Sequence, residues 1–235
     1  QNGTAVSVRS RQRREKGRSE GMSDMRIKTM VLGSVQTNCY IVYHEEIKAA
    51  VIIDPADGSS AIQAACTGLG VKPEAILLTH GHGDHILAAE DLKKAYSVPI
   101  VAAETERALL ADPALNLSVA LGMPSTSLRA DREVRDGETL ELAGFRFRVL
   151  ATPGHTSGSV CYLAEGEDAL FAGDTLFEES LGRTDFPTGS VQEIVASISQ
   201  VLFALPEDTM VYPGHGNPTT IGHEKRYNPV AIYRR

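Results

Sequence analysis

The chain has 235 residues, 42% of them hydrophobic, which is enough to bury a substantial core in one large domain or two small ones. Its formal net charge is −7, and it has no Trp and few other aromatic residues. This balance argues against nucleic-acid binding, because phosphate contacts need excess Lys and Arg and single strands need stacking platforms. No apolar run approaches the roughly 18 residues of a membrane span, so we expect no membrane association.

Residues 1–24 differ from the rest of the chain, because they are Arg- and Ser-rich and contain few apolar residues. We expect a disordered leader or an expression remnant there, with organellar targeting as the alternative, and then a single domain over 25–235. The three cysteines are odd in number and widely spaced, which predicts small buried residues in a reducing, cytoplasmic compartment. They are Cys39, Cys66 and Cys161.

In the first half of this domain, β-branched and aromatic runs separated by turn residues predict strands. These strands cover 26–33, 38–44, 49–56, 75–80 and 99–103. A helix capped by Ser59 or Ser60 should run to about Leu69, and another should run from about Asp84 to Tyr96. Residues 104–130 predict a further helix and a long connection.

The second half repeats this order of strands followed by helices. Residues 139–152 predict a hairpin, and 159–165, 168–174 and 209–215 predict single strands. Ser190 and Glu193 form a capping box before a helix with apolar residues at helical spacing. We therefore expect an α/β fold with two sheets packed face to face and helices outside, a four-layer αββα sandwich.

Residues 79–85 read THGHGDH, which places four potential metal ligands within six residues. Imidazole and carboxylate donors together suit zinc, iron or manganese. We expect the two intervening glycines to let the backbone turn tightly, so that His80 and His82 converge on one ion. Asp84 and His85 are adjacent and should point in other directions. Four ligands crowded in this way fit two neighbouring ions better than one.

Three further candidate ligands follow apolar runs, namely His155 after FRVLATPG, Asp174 at the end of LFAGD and His215 after MVYPG. If the carboxyl ends of these strands share one edge of the sandwich, the ligands meet there. Five of the seven histidines then lie in Gly-rich loops at strand ends. Asp54 in VIIDPA has two interpretations that spacing leaves open, either an acceptor that orients a ligand histidine or a cap on an Asp-Pro turn.

The succession THGHGDH, TPGHTSGS, FAGD and YPGHG resembles the metallo-β-lactamase-fold hydrolases in motif and order, over about Met25 to Pro229. Within that group the chain looks most like glyoxalase II, the hydroxyacylglutathione hydrolases, in their short bacterial form. The resemblance implies two divalent metal ions at one edge of the sandwich, zinc first, with iron or manganese as alternatives. The implied ligands are His80, His82 and His155 for one ion, Asp84, His85 and His215 for the other, and Asp174 as a bridge.

The resemblance also implies the reaction. A metal-bridging hydroxide, oriented by Asp84, would attack the carbonyl of a small-molecule thioester such as S-lactoylglutathione. Residues 182–187, GRTDFP, should form part of the pocket wall, where Arg183 could meet a substrate carboxylate. An ion pair between Arg183 and Asp185 is the structural alternative. The aromatic residue that glutathione-binding members carry here is lost or displaced to Phe186.

Three alternatives share the same motifs or fold. A persulfide dioxygenase with a single iron also carries GRTDF, but that family ends its last strand in AHDY where this chain has PGHG. A lactonase or a β-lactamase is the second, although zinc β-lactamases commonly use Cys at the position of Asp174. A noncatalytic binding module is the third, and the complete set of candidate ligands argues against it.

Overall fold

The computed structural model describes residues 25–232, so the expected leader over 1–24 lies outside the described residues. The first sheet has six strands that neighbour one another in chain order. They are β1 (Met25–Leu32), β2 (Thr37–His44), β3 (Ala49–Ile53), β4 (Lys72–Leu77), β5 (Ile100–Ala103) and β6 (Arg132–Val134). The first three are antiparallel, and β3 to β6 are parallel.

The second sheet also has six strands, in the order β14-β13-β10-β9-β8-β7. Their bounds are β7 (Thr139–Leu142), β8 (Phe145–Ala151), β9 (Val160–Ala164), β10 (Ala169–Gly173), β13 (Met210–Pro213) and β14 (Thr219–Thr220). Two short strands pair as a separate hairpin after β10, namely β11 (Leu176–Phe177) and β12 (Ser180–Leu181). The predicted hairpin over 139–152 is present as β7 and β8.

The helices lie on the outer faces of the two sheets. They are α1 (Ser59–Leu69), α2 (Gly83–Ile86), α3 (Ala89–Tyr96), α4 (Arg107–Ala111), α5 (Val191–Ala196), α6 (Ile221–Tyr227) and α7 (Pro229–Ile232). A 3₁₀ turn over Glu104–Glu106 precedes α4, and a π turn and a 3₁₀ turn continue α5 to Ala204. None of the helices within 25–232 has the length and apolar character that crossing a bilayer requires.

Side-chain alternation along the strands builds three buried layers. In β3, Val51 and Ile53 face a core between the two sheets, whereas Ala50 and Ile52 face a second core beneath α1 and α3. A third core lies between the second sheet and α5, α6 and α7. Each fully buried Val or Ile contributes about 1.5–3 kcal/mol. This layering confirms the predicted αββα sandwich.

Strand direction brings five carboxyl ends to one edge of the sandwich, here called the site edge. β3 runs parallel to β4, and β10 runs parallel to β13. β8 has the same direction as β10 because both pair antiparallel with β9. The sheets approach closely here, since a Cβ on Gly173 would lie 2.3 Å from Thr79 Oγ1. The loops at the ends of these strands therefore converge.

Several predicted elements differ in detail. The helix expected over 84–96 is divided into α2 and α3, because the Ala88 amide donates to the Pro55 carbonyl 3.0 Å away. Neither Ser59 nor Ser60 caps α1, because Gly58 occupies the cap position with φ 63°. The sequence pattern missed β6, which is only three residues long. The three cysteines are free and buried, as predicted.

Candidate metal centre

The site edge brings all seven sequence-predicted ligands together. Two groups of donor atoms, each within 4.8 Å of one another, account for six of them. The three-histidine cluster consists of His80, His82 and His155. The mixed cluster consists of Asp84, His85 and His215. Asp54 also lies within 4.8 Å of donor atoms on His80 and His85.

In the three-histidine cluster, hydrogen bonds on one side of two rings leave the opposite nitrogen facing the site. His80 Nδ1 lies 3.1 Å from the Thr79 hydroxyl, and His155 Nδ1 donates to the Arg183 carbonyl at 2.7 Å. Nε2 of both rings therefore remains for a ligand. His82 Nδ1 lies 2.9 Å from His155 Nε2. Nitrogens about 2.0–2.1 Å from one tetrahedral ion would lie roughly 3.4 Å apart, so this convergence suits a shared ion.

In the mixed cluster, two residues are oriented by polar partners outside it. His85 Nδ1 donates to Asp54 Oδ2 at 3.0 Å, which leaves His85 Nε2 facing the site. The Thr37 hydroxyl donates to Asp84 Oδ2 at 2.9 Å. Asp84 Oδ2 also lies 3.2 Å from His215 Nε2 and 3.4 Å from His85 Nε2. His215 is the most exposed of the three, with 28% of its side chain accessible.

Asp174 lies between the two clusters. Its Oδ1 is 3.4 Å from His85 Nε2, and its Oδ2 is 3.5 Å from both His155 Nε2 and His215 Nε2. One carboxylate thus contacts an imidazole of the three-histidine cluster and two imidazoles of the mixed cluster. This is the placement that a ligand shared by two ions requires.

Several buried polar atoms at this edge have no hydrogen-bond partner among the described residues. They are the Nε2 atoms of His80, His82 and His85, the Oδ1 atom of Asp174 and the Oε2 atom of Glu106. Each buried unsatisfied polar atom costs about 1–3 kcal/mol, and the atoms on His80, His85 and Asp174 face the site, so these three favour a ligand there. Imidazole and carboxylate donors are the ligand types of Zn²⁺, Fe and Mn, and the residues therefore fit two such ions.

The protonation states divide the site by charge. Burial, reinforced by the neighbouring imidazoles, holds the pKa of His80 well below 6.5 and lowers that of His82 to about 3. Burial opposes ionisation of both carboxylates. His85 and His215 outweigh it, however, lowering the pKa of Asp84 to about 2 and that of Asp174 well below its usual value. The three-histidine cluster therefore presents neutral imidazole, the ligand form, on at least two rings. In the mixed cluster the carboxylates, against the effect of burial, raise the pKa of His85 well above 6.5 and that of His215 to about 9, so a bound cation would displace a proton from each of these imidazoles.

Asp54 is placed to orient one candidate ligand. Its Oδ1 accepts the Thr79 amide at 2.8 Å, and its Oδ2 accepts the Thr79 hydroxyl at 2.6 Å as well as His85 Nδ1. The residue is buried and has φ 49°, a conformation that non-glycine residues rarely adopt. Of the two interpretations that the sequence left open, this geometry supports the acceptor beside a histidine. Its functional role stays a prediction.

We expect Asp54→Asn to weaken binding at the mixed cluster by about 10–100-fold, the usual cost of losing a carboxylate behind a ligand histidine. The asparagine amide would face His85 Nδ1 with N–H groups and disturb the ring. Stepwise dissociation constants from Co²⁺ titration measure the effect. Asp57→Asn, an exposed change three residues away, is the matched control. Equal affinities in wild type and Asp54→Asn would exclude Asp54 as the residue that orients His85.

From the sequence we missed three residues that hold candidate ligands in place, and we gave the wrong reason for the two glycines of the ligand loop. Thr37 positions Asp84, and the Asn38 amide donates to the carbonyls of Pro213 and Gly216, on either side of His215. Thr79 links Asp54 to His80. No sequence pattern distinguishes such single polar residues from ordinary loop residues.

The two glycines of THGHGDH do not have positive φ, so a tight left-handed turn is not why they are needed. A Cβ on Gly81 would lie 2.9 Å from the side chains of Leu109 and Leu110. A Cβ on Gly83 would lie 2.9 Å from the backbone of Ser118. Close packing of the ligand loop against neighbouring segments is therefore the physical reason for glycine at both positions.

The segment GRTDFP forms a wall beside the three-histidine cluster. The Phe186 ring meets His82 edge-on, with centroids 5.7 Å apart, and lies 6.4 Å from the His155 ring. Arg183 pairs with Asp185 through two hydrogen bonds of 2.9 and 2.7 Å, and its guanidinium lies 4.2 Å from the centre of the Phe186 ring. Arg183 is thus engaged in the predicted ion pair, with further N–H donors still unused.

Comparison with protein-family models shows which superfamily these motifs belong to. Residues 32–215 match the model of the Metallo-beta-lactamase superfamily. The chain belongs to this superfamily. Hydroxyacylglutathione hydrolase GloC from Haemophilus influenzae is 36% identical over 207 residues, which are 87% of this chain and 97% of that protein.

Two solved structures resemble the chain closely. The crystal structure of BLEG-1 B3 metallo-beta-lactamase is 41% identical, with a TM-score of 0.83 over 88% of this chain and 99% of that one. The structure of TTHA1623 in a di-iron-bound form is 36% identical, with a TM-score of 0.76 over 86% and 98%. GloC and BLEG-1 are described by different activities, so these relatives establish the superfamily and leave the substrate to other arguments.

Proposed function

We propose that this superfamily member is a dinuclear-metal hydrolase that cleaves a thioester of the hydroxyacylglutathione type. The position of Asp174 between two triads of donors is the observation that carries the dinuclear part. The likeness to GloC supports the thioester part. Zinc is the proposed metal, and the di-iron form of TTHA1623 supports iron as the alternative.

In this proposal His80, His82 and His155 hold one ion, Asp84, His85 and His215 hold the other, and Asp174 holds both. Bound divalent ions would lower the pKa of water to near 7 and polarise a carbonyl oxygen. The net reaction forms a bond between water oxygen and acyl carbon and breaks the carbon–sulfur bond, giving a hydroxy acid and a thiol.

The chain's own residues orient the reacting groups. Asp84 is anionic and held by the Thr37 hydroxyl, so it can accept a hydrogen bond from the attacking water and fix its direction. Thr79, Asp54 and the Arg183 carbonyl hold three imidazole rings from behind. A fixed site lowers the entropic part of the barrier, because reacting atoms are already aligned. Catalysis in this proposal needs no Ser or Cys nucleophile.

The GRTDFP wall supplies the proposed contact to the thiol half of the substrate. The sequence left open whether the aromatic residue of this wall is lost or displaced to Phe186. The Phe186 ring lies against the three-histidine cluster and can serve as that aromatic residue. Arg183 stacks on that ring and is well exposed, with 65% of its side chain accessible. Its unused N–H donors can bind a glutathione carboxylate without breaking the pair with Asp185.

We expect Arg183→Gln to raise KM for S-lactoylglutathione about tenfold and to leave kcat within about twofold. A contact made equally in the ground and transition states affects KM alone, and tenfold corresponds to about 1.4 kcal/mol. Steady-state kinetics measure both constants. Arg226→Gln is the matched control, because Arg226 forms a comparable exposed pair with Glu207. An unchanged KM would exclude Arg183 from substrate binding.

Purified protein assayed with S-lactoylglutathione and with glutathione persulfide, alongside metal counting, tests the proposal. Thioester turnover with close to two ions per chain supports it. Oxygen consumption with persulfide and one iron per chain would replace it with a persulfide dioxygenase, whose GRTDF stretch this chain shares. Turnover of a lactone or a β-lactam without thioester turnover would place the chain among the other ester and amide hydrolases of the superfamily.

A further inference from the structure

Glu106 is a fully buried carboxylate that the proposed reaction does not use. It ends the 3₁₀ turn between β5 and α4, directly beneath the ligand loops, and none of its surface is accessible. Glutamate is almost never fully buried unless it has a partner. Within the described residues no Lys or Arg pairs with Glu106, whereas its half-buried neighbour Glu104 pairs with Arg135. The interactions that hold Glu106 must therefore come from elsewhere.

The two carboxylate oxygens of Glu106 reach two different ligand loops. Oε1 accepts the Gly81 amide at 2.9 Å, and Gly81 lies between His80 and His82. Oε2 is buried against Gly158, where a Cβ would lie only 2.3 Å from it, and it has no hydrogen-bond partner among the described residues. Burial raises the pKa of Glu106, against the lowering effect of the Gly81 amide. Gly158 lies three residues after His155, so one side chain reaches both loops of the three-histidine cluster.

The loop that carries His80 and His82 is packed so that it cannot move independently of Glu106. The turn that ends at Glu106 continues into α4, whose Leu109 and Leu110 side chains pack against Gly81. The Gly81 amide is thus fixed by the carboxylate while its Cα is covered by two leucines. Small displacements of ligand side chains, on the order of 1 Å, weaken a metal site substantially.

We propose that Glu106 is a positioning residue that sets the spacing between His80, His82 and His155, and so determines how tightly the three-histidine cluster binds its ion. The inference rests on the proposed dinuclear centre. Glu106 does not contact the residues of the mixed cluster. Asp84, His85 and His215 are held by Thr37, Asp54 and Asn38 instead. The structure therefore supports separate control of the two ions.

Stepwise Co²⁺ titration of the metal-free full-length chain tests this separation, with the visible absorption of Co²⁺ reporting each cluster. We expect Glu106→Gln to weaken the three-histidine cluster about 10–100-fold and to leave the mixed cluster within about twofold. Gln can still accept the Gly81 amide but presents N–H groups to Gly158. Glu106→Leu, which keeps neither contact, should weaken the same cluster further. Glu104→Gln should change neither constant.

Gly158→Ala perturbs the contact between Glu106 and the loop that follows His155 without changing Glu106 itself. It provides a second test in case Glu106→Leu does not fold. The new Cβ would lie 2.3 Å from Glu106 Oε2, 2.6 Å from the Glu106 backbone nitrogen and 2.8 Å from its Cα, so it would displace the whole residue, and the same dissociation constant should rise. Thermal unfolding by circular dichroism is recorded for every variant. If wild type binds two ions and the Glu106→Gln titration superimposes on it, or both constants change equally, the positioning role is wrong and the dinuclear proposal stands. If wild type binds fewer than two ions, the proposed function fails first.

Discussion

Replacing Asp174 by asparagine is expected to lower kcat for thioester hydrolysis by about 10³-fold. Asp174 contacts imidazoles of both clusters, at 3.4 to 3.5 Å. The neutral amide removes the charge shared by two cations and presents N–H groups to one of them. Loss of ion-based charge stabilisation amounts to several kcal/mol, and about 4 kcal/mol corresponds to a factor of about 10³.

Metal content separates this effect from a folding defect. We expect Asp174→Asn to retain fewer than two ions per chain while its far-UV circular dichroism matches wild type. The fold should survive because the residue's contacts are with the site, and the cores of the sandwich lie behind it. Asp208→Asn, an exposed carboxylate outside the site, is the matched control. A variant with two ions and wild-type kcat would exclude Asp174 as the shared ligand.

The second large effect is expected from Gly214→Ala, which adds one methyl group inside the site. The new Cβ would lie 2.1 Å from Asp174 Oδ1 and 2.7 Å from His85 Cε1. Two backbone hydrogen bonds hold Gly214 in place. Its carbonyl accepts the backbone N–H of Asn38 at 2.7 Å, and its own N–H donates to the Gly173 carbonyl at 2.8 Å. Gly214 does not have positive φ, so alanine is not strained by the backbone itself. The whole effect must come from displaced ligands.

We expect Gly214→Ala to lose at least one ion per chain and to lower kcat about 10²-fold or more, because the shared carboxylate and His85 cannot both keep their places. Metal analysis and steady-state kinetics on the same preparation measure it. Gly68→Ala is the matched control, since nothing lies within 4 Å of a Cβ there and the position is helical. Full metal content and turnover in Gly214→Ala would show that Asp174 and His85 need not occupy the positions described.

The sequence predicted the sandwich and the seven candidate ligands because both depend on strong local patterns. Alternating strands and strand-end loops are visible in composition, and few residue types can bind a metal. The helix after the ligand loop was harder, because its interruption depends on the Pro55 carbonyl, which is more than 30 residues away from Ala88. Glu106, Thr79 and Asn38 were missed for the same reason. Their importance comes from contacts across the fold that no local pattern records.

The explanation for the ligand-loop glycines shows the same limit. From the sequence, a glycine shows only that the position has no side chain. Either a left-handed turn or close packing against neighbouring atoms could require this. The structure selects close packing, because a Cβ added to Gly81 or Gly83 would lie only 2.9 Å from neighbouring leucine side chains or the Ser118 backbone. The distinction changes the expected effect of substitution, since a packing clash displaces ligands and turn strain mainly lowers stability.

Anomalous diffraction from crystals of the metal-loaded protein tests the dinuclear centre most directly. Data collected on both sides of the zinc and iron absorption edges would locate and identify each ion. We predict two peaks about 3.5–4 Å apart at the site edge, one beside each cluster, with the Asp174 carboxylate between them. A single peak, no peak, or imidazole rings turned away from the edge would contradict a dinuclear centre.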